Sequence, residues 1–289
     1  MNVKKIGEIL GGQDGVVLKG YIFRFGGKGN CRVYDMKGFS DNGKQEPCAE
    51  FLLDRADELM PHCNAVVFGN EFYAPEDPFP ILYANIYNNY ANEEDSMEGV
   101  CLAYRLIFDG SVFSSELVQI IRIGFTDDYN LWRSDAQKPD IRPYGNFVID
   151  TDKNMYYAYV MRDKYESTRY FAFDMPKLSD GIMDSRYGVP CVILGKEDIR
   201  DYFDCPYHRY IQGGCYHDGK IYSVEGSGGD NENPPVLRII DLDERKQILY
   251  FNFEDKDLVH EPEFIDFCDN ICYYGDSKGN MYILSDMID

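Results

Sequence analysis

Apolar residues in this chain come in short runs, some alternating with polar residues and some continuous, and turn residues separate them. Runs of this length bounded by Gly, Pro, Asn and Asp predict strands and hairpins. Residues 210–253 give the clearest order. YIQGGCY is an apolar strand with small residues, HDG a turn, and KIYSVEG a second strand. A Gly/Asn/Pro loop, GSGGDNENPP, follows. VLRIIDLD alternates as a third strand, ERK turns the chain, and QILYFNF is the fourth.

The same order recurs. Residues 147–150 lead through TDKN to MYYAYVMRD, TRYFAFDMP and PCVILGK. Residues 65–69 lead to PILYANIYN, VCLAYRLIFDG and ELVQIIRIGF. Near the start, GVVLKG precedes YIFRFGG, CRVYDM and CAEFLLD. The last copy has only three strands, EFIDFCD, ICYYGD and NMYILSD. Self-similarity of this kind marks a repeat architecture. KKIGEIL at the N-terminal end resembles the outer strands and has no partner in the first copy. Pairing it with the last copy would close a ring and remove two exposed edges.

The expectation is therefore an all-β chain, a five-bladed β-propeller in one domain over residues 1–289, closed by its N-terminal strand. Six blades result if the long second and third copies hide another sheet. A two-layer β-sandwich would explain the strands, but neither the four-strand order nor the incomplete last copy. Five copies in 289 residues run longer than the roughly 40–50 residues of common propeller repeats. The excess sits in insertions: acidic 90–98, 126–140 with the only tryptophan, Trp132, and 196–204, which reads as a short helix.

Composition narrows the function classes. Aromatic residues make up 15% of the chain, enough apolar area to exclude disorder. A net charge of −21 repels phosphate backbones and anionic bilayers, so neither nucleic acid nor a membrane is an expected partner. No run approaches the ~20 apolar residues of a spanning helix, and no signal-peptide pattern opens the chain. Nine scattered cysteines without a CxxC predict reduced thiols in a cytoplasmic protein. A monomer is expected, with a small polar molecule or a protein as partner.

Candidate chemistry concentrates where each inner strand begins, since polar residues precede apolar ones there. These entrances are GGQDG, PHCN, RPYGN, HRYIQGG and HEPEF. They bring together Gln13, Asp14, His62, Asn64, Arg142, Tyr144, Gln212, His260, Glu261 and Glu263, with Asn146 and His208 beside them. By analogy with other propellers they would rim one mouth of a central channel and take a small polar ligand. Glu261 and Glu263, spaced to share one face of a strand, and Asp14 could act as acid and base on a sugar or peptide. That makes a hydrolase or lyase the alternative. A pure interaction scaffold is a third reading, with its patch around Trp132 and NIYNNY (85–90).

No metal or cofactor is expected. The histidines lack HxH or HExxH spacing. GSGGDNENPP has no lysine and precedes a strand, so it is a hairpin loop and not a phosphate cradle. DTDKN and DSKGN lack the length and terminal Glu of a calcium loop.

One family resemblance adds to this. YIQGGCYHDGKIYSVEGSG followed by VLRIIDL resembles the repeat of glutaminyl-cyclotransferase-like five-bladed propellers. That repeat opens on an aromatic-x-Gln-Gly run and continues through a Leu-Tyr strand to an LR-(V/I)DL strand. Where the family carries an acidic residue directly after its Leu-Tyr pair, this chain has Ser223, with Glu225 two positions on. The resemblance covers about 35 residues and implies the fold alone. HCNAVVFG, FPILYANIY, RPYGNF and QGGCY are also similar to segments of bacterial propeller proteins, with no activity implied.

Overall fold

The computed structural model describes residues 1–39, 43–86, 99–125, 146–161, 167–206, 210–230 and 232–288. Their strands form five small sheets in a ring, the five-bladed propeller the repeat predicts. β1 (Asn2–Glu8) comes first and belongs to the last blade. Blade 1 is β2 (Gly15–Leu18), β3 (Tyr21–Phe25), β4 (Asn30–Asp35) and β5 (Ala49–Leu52). Blade 2 is β6 (Val66–Phe68), β7 (Leu82–Ile86), β8 (Val100–Phe108) and β9 (Phe113–Ile123).

Blade 3 begins with β10 (Asn146–Asp150), β11 (Met155–Met161) and β12 (Ser167–Asp174). The chain then makes β13 (Ile182–Met183) and β14 (Pro190–Leu194) before β15 (Asp201–Pro206) completes the blade. Blade 4 is β16 (Ile211–His217), β17 (Lys220–Glu225), β18 (Val236–Asp241) and β19 (Lys246–Asn252). Blade 5 is β20 (Pro262–Cys268), β21 (Ile271–Asp276) and β22 (Asn280–Ser285), with β1 at its outer edge.

The closing strand pairs as expected. β1 runs antiparallel to β22 from Asn2 opposite Ser285 to Glu8 opposite Asn280, with a bulge between Lys5 and Gly7. Gly7 has φ +154°, and a Cβ there would lie 2.9 Å from the Phe39 ring. Only glycine makes that bend.

Each blade lies between two others, so both of its faces are covered. Five hydrophobic clusters fill the gaps between neighbouring blades. In the gap between blades 1 and 2, the rings of Phe68, Phe79 and Phe113 meet Phe23 edge-on at 5.4–5.6 Å. Two-sided burial explains why central strands such as β7 (LYANI) are buried at every position instead of alternating. Outer strands such as β15 (DYFDCP) alternate.

Four readings are corrected. Six blades are excluded by the five-sheet ring, and a two-layer sandwich by the separate sheets. The outer strand of the third blade is not PCVILGK. β14 pairs parallel with β9 and extends blade 2, while β15 takes the blade 3 edge. The apolar run PCVIL is the stronger strand signal, but Leu194 is needed in the gap between blades 2 and 3. Phe203 and Cys205, one face of the weaker-looking β15, fill the next gap. The helix expected over 196–204 reduces to a 3-10 turn at Lys196–Asp198 that leads into β15.

Candidate functional site

The segments ahead of the inner strands β2, β6, β10, β16 and β20 meet one another and are stitched blade to blade. The Asp14 backbone N–H donates to Cys63 O (3.1 Å), and its Oδ2 accepts the Val66 N–H (3.0 Å). Asn85 on β7 donates to Asn64 Oδ1 (2.7 Å) and Asn146 Oδ1 (3.1 Å), joining blades 2 and 3. Its own Oδ1 accepts the Ala65 N–H (3.1 Å). Asn146 donates to Ile211 O (3.1 Å) in blade 4. Gln212 Nε2 donates to Glu261 Oε1 (2.6 Å), joining blades 4 and 5. Arg24 returns the chain of contacts to blade 1, donating to Gly12 O (3.1 Å) and Asp276 O (3.2 Å) over the Phe264 ring.

The strands approach one another very closely here. A Cβ on Gly213 would lie 2.7 Å from Glu263 O and 3.0 Å from Asp14 Oδ1. That contact is the physical reason for the small residues in QGG. Two inner strands also bulge at this end: β16 between Ile211 and Gly213, at Gln212, and β20 between Pro262 and Phe264, at Glu263. A bulge re-aims the side chain it carries. The alternation that would have put Glu261 and Glu263 on one strand face is broken at Glu263.

The predicted residues separate into two groups. Asp14, Asn64 and Glu263 are buried, at 0%, 1% and 4% exposure. Gln13, His62, Gln212, His260 and Glu261 keep partial exposure. Arg142, Tyr144 and His208 lie outside the described residues, as do Trp132, the insertions 90–98 and 126–140, and positions 87–90 of NIYNNY. Asn85, which opens that last segment, is a buried strand residue.

Sequence reasoning missed Arg24 and Asn85, both buried at 1% exposure. The signal was a charge inside YIFRF and an amide inside ILYANIY. Burial pushes the carboxyl groups of Asp14 and Glu263 well above the usual carboxylate range. The backbone N–H groups of Val66 and Gly15, and then the Arg24 guanidinium, pull Asp14 back in part; Arg24 pulls Glu263 back while Glu261, Asp14 and Asp276 push it further up. Glu261 is raised by burial as well. Arg24 is lowered by burial and held up by Glu263, Asp14 and Asp276. Among the described residues, Asp14 Oδ1, Glu263 Oε2, and Arg24 Nε and Nη1 have no hydrogen-bond partner. They are four of thirteen such buried side-chain atoms among the described residues, and what sets them apart is that the three side chains act on one another electrostatically at this mouth.

Other polar groups are already engaged. Glu225 is held by Arg238 through Nε (2.9 Å) and Nη2 (3.0 Å), and Ser223 Oγ donates to it at 2.9 Å. Asp150 caps its own turn by accepting from Asp152 and Lys153 N–H. Asp276 does the same for Lys278 and Asn280. Among the described residues no group of three or more His, Cys, Asp or Glu is placed to hold a metal. All nine cysteines are free, and no helix among the described residues is long and apolar enough to cross a membrane.

No family model matches the chain, and no curated protein matches it. Among solved structures it is similar to the glutaminyl cyclase of Myxococcus xanthus, at 9% identity and a TM-score of 0.51, over 99% of this chain and 100% of that one. BamB from Moraxella catarrhalis matches at 10% identity and a TM-score of 0.33, over 94% of this chain and 57% of its own. At such identity the first likeness shows the propeller fold alone.

Proposed function

We propose that the entrance mouth binds a small, neutral, hydrogen-bonding molecule of the carbohydrate or polyol class. The carrying observation is the ring of partly exposed polar side chains at this mouth, Gln13, His62, Gln212, His260 and Glu261, set over the buried Asp14, Glu263 and Arg24. They offer donors and acceptors at one place, and a polyol presents both. Burial favours the uncharged carboxyl groups, which suits a neutral ligand over an ionic one. The bulges at Gln212 and Glu263 support the reading, because bulges cluster beside functional sites. The partly exposed Gln212–Glu261 pair and His62 would form its outer rim.

The test is a melting-temperature titration against a panel of monosaccharides and polyols. A ligand that binds only the native state at 100 times its Kd stabilises by about 2.7 kcal/mol. A hit should be lost in Gln212→Ala and weakened in His62→Ala. A hit indifferent to both changes would remove the ring from consideration.

A second reading, hydrolysis or elimination on a sugar or peptide, draws on the same carboxyl groups. Glu263 is buried and raised far, whereas Glu261 is half-buried and hydrogen-bonded to Gln212. Two carboxyl groups in such different surroundings suit an acid and a base. Turnover of aryl glycosides or aryl amides, abolished in Glu263→Gln, would favour this reading. A ligand that binds and is recovered unchanged favours binding alone.

A further inference from the structure

The other mouth of the channel, where the inner strands end, holds a cleft of about 370 Å³. All five blades line it. Val17, Val67, Phe68, Ile149 and Phe267 are among its apolar lining, and Asp266 is the acidic residue within it. Its volume lies within the ~300–1,000 Å³ of small-molecule pockets.

The rim is built from contacts between loops. Lys19 Nζ donates to Pro78 O (2.5 Å) and lies 5.8 Å and 5.9 Å from the Phe79 and Phe72 rings. The Asn70 side chain donates to Thr151 O. Tyr216 OH donates to Asp152 Oδ2 (2.7 Å). His217 stacks on Phe267 with ring centroids 3.9 Å apart. The polar rim is thus engaged with itself, and the basic residue nearest the opening, Lys19, is turned to the loop between β6 and β7.

Asp266 differs from these. Its Oδ2 accepts the Val17 N–H at 2.6 Å, which fixes the carboxyl group in the wall. The groups acting on it are its own burial and backbone N–H donors, with no cation among them. A fixed acid in an apolar pocket lacks one complement, a cation that carries its own apolar body. We propose that the exit cleft is a binding site for a small aliphatic or aromatic primary amine, with the ammonium on Asp266 and the hydrocarbon against Val67, Phe68 and Ile149. This site does not depend on the reading of the entrance mouth.

The charged or titratable groups around Asp266 come from several elements. Asp14 precedes β2, Cys215 lies on β16, Cys268 and Cys272 lie on β20 and β21, and Lys19 and His217 stand at the rim. Burial pushes Asp266 up to about 7. An ammonium needs the ionised carboxylate, so amine affinity falls about tenfold per pH unit below that value and levels above it. Burial lowers His217, whose protonation at acid pH would also repel an amine.

The experiment is an NMR titration of the full chain with n-hexylamine, n-hexanol and n-hexanoate at pH 6 and pH 8, following the methyl groups of Val17, Val67 and Ile149. At pH 8 hexylamine should bind at least tenfold more tightly than hexanol and hexanoate. At pH 6 its affinity should drop about tenfold, in the wild type and in His217→Gln alike. In Asp266→Asn, whose amide oxygen can still accept from Val17, the advantage of the amine and its pH dependence should both vanish. Equal binding of amine and alcohol, or a pH response that disappears in His217→Gln, would overturn the proposal. The wild-type comparison of three ligands decides it even if Asp266→Asn does not fold.

Discussion

A few buried charges inside the propeller carry much of its residue-scale energetics. Arg238 and Glu225 are 2% and 1% exposed and paired through three hydrogen bonds. Arg238 also donates to Pro206 O (2.6 Å) and Gln247 Oε1 (2.5 Å), so it braces β18 against neighbouring strands. Truncating one partner strands the other charge, a loss of about 3–5 kcal/mol. Arg238→Met should therefore lower the urea midpoint steeply, and adding Glu225→Leu should recover a large part of the loss. A double-mutant cycle measures the coupling. Asp266 acts with the opposite sign. Its carboxyl group sits at about 7 in the folded chain and near 3.9 when unfolded. The folded state then binds more protons between those values, and stability from this group is lost as pH rises from ~4 to ~7. Asp266→Asn removes that slope. Its stability relative to wild type should climb across the window and level off above pH 7, by no more than about 4 kcal/mol, since residual exposure reduces the effect. Urea unfolding at pH 5, 6, 7 and 8 reads the difference.

At the level of elements, ring closure depends on one strand. β1 pairs with β22 along its whole length, and Met1 and Val3 pack against the cluster between blades 4 and 5. Without residues 1–8, β22 would present an open edge. The truncated chain should melt at least ten degrees lower and associate with rising concentration, as read by calorimetry and light scattering. Supplying the peptide NVKKIGE in trans should reverse both effects. This strand was readable in advance because the last copy lacks a fourth strand and KKIGEIL lacks a partner. β15 was not, because DYFDCP carries charges on its exposed face and looks weaker than PCVIL. The strand choice is made by which gap between blades needs filling, a tertiary fact that local pattern does not contain. At the entrance mouth, Asp14, Asn64, Gln212 and Glu263 could be picked out as polar residues ahead of apolar strands. Arg24 and Asn85 could not, because they lie within strands and reach the ring only through the twist and packing of β3 and β7. The exit cleft was also missed: Asp266 is a single acidic residue between apolar neighbours near the end of an inner strand, whereas the polar clusters that draw notice stand at the strand entrances.

Across the whole molecule, the dominant electrostatic quantity is the net charge of −21. Pairing every Lys and Arg would still leave 21 carboxylates without a basic partner. The described ion pairs include exposed ones, such as Lys153–Asp243 and Lys246–Glu244, with side chains more than half exposed. Pairs of that kind contribute about 0–1 kcal/mol each and weaken with salt. Self-repulsion of the excess acid also weakens with salt, and it acts in the opposite direction, against the compact state. Because the excess carboxylates outnumber the exposed pairs, repulsion decides the sign. Raising NaCl from 10 mM to 150 mM shortens the Debye length from about 30 Å to about 8 Å, from roughly the width of a small domain to the distance between neighbouring strands and loops. The melting temperature should rise over that range and flatten beyond it. KCl should act equally, since screening depends on ionic strength and not on the identity of the ion. A melting temperature that falls with salt would mean that the ion pairs outweigh the repulsion, and that the acidic surface is better matched internally than its charge count implies.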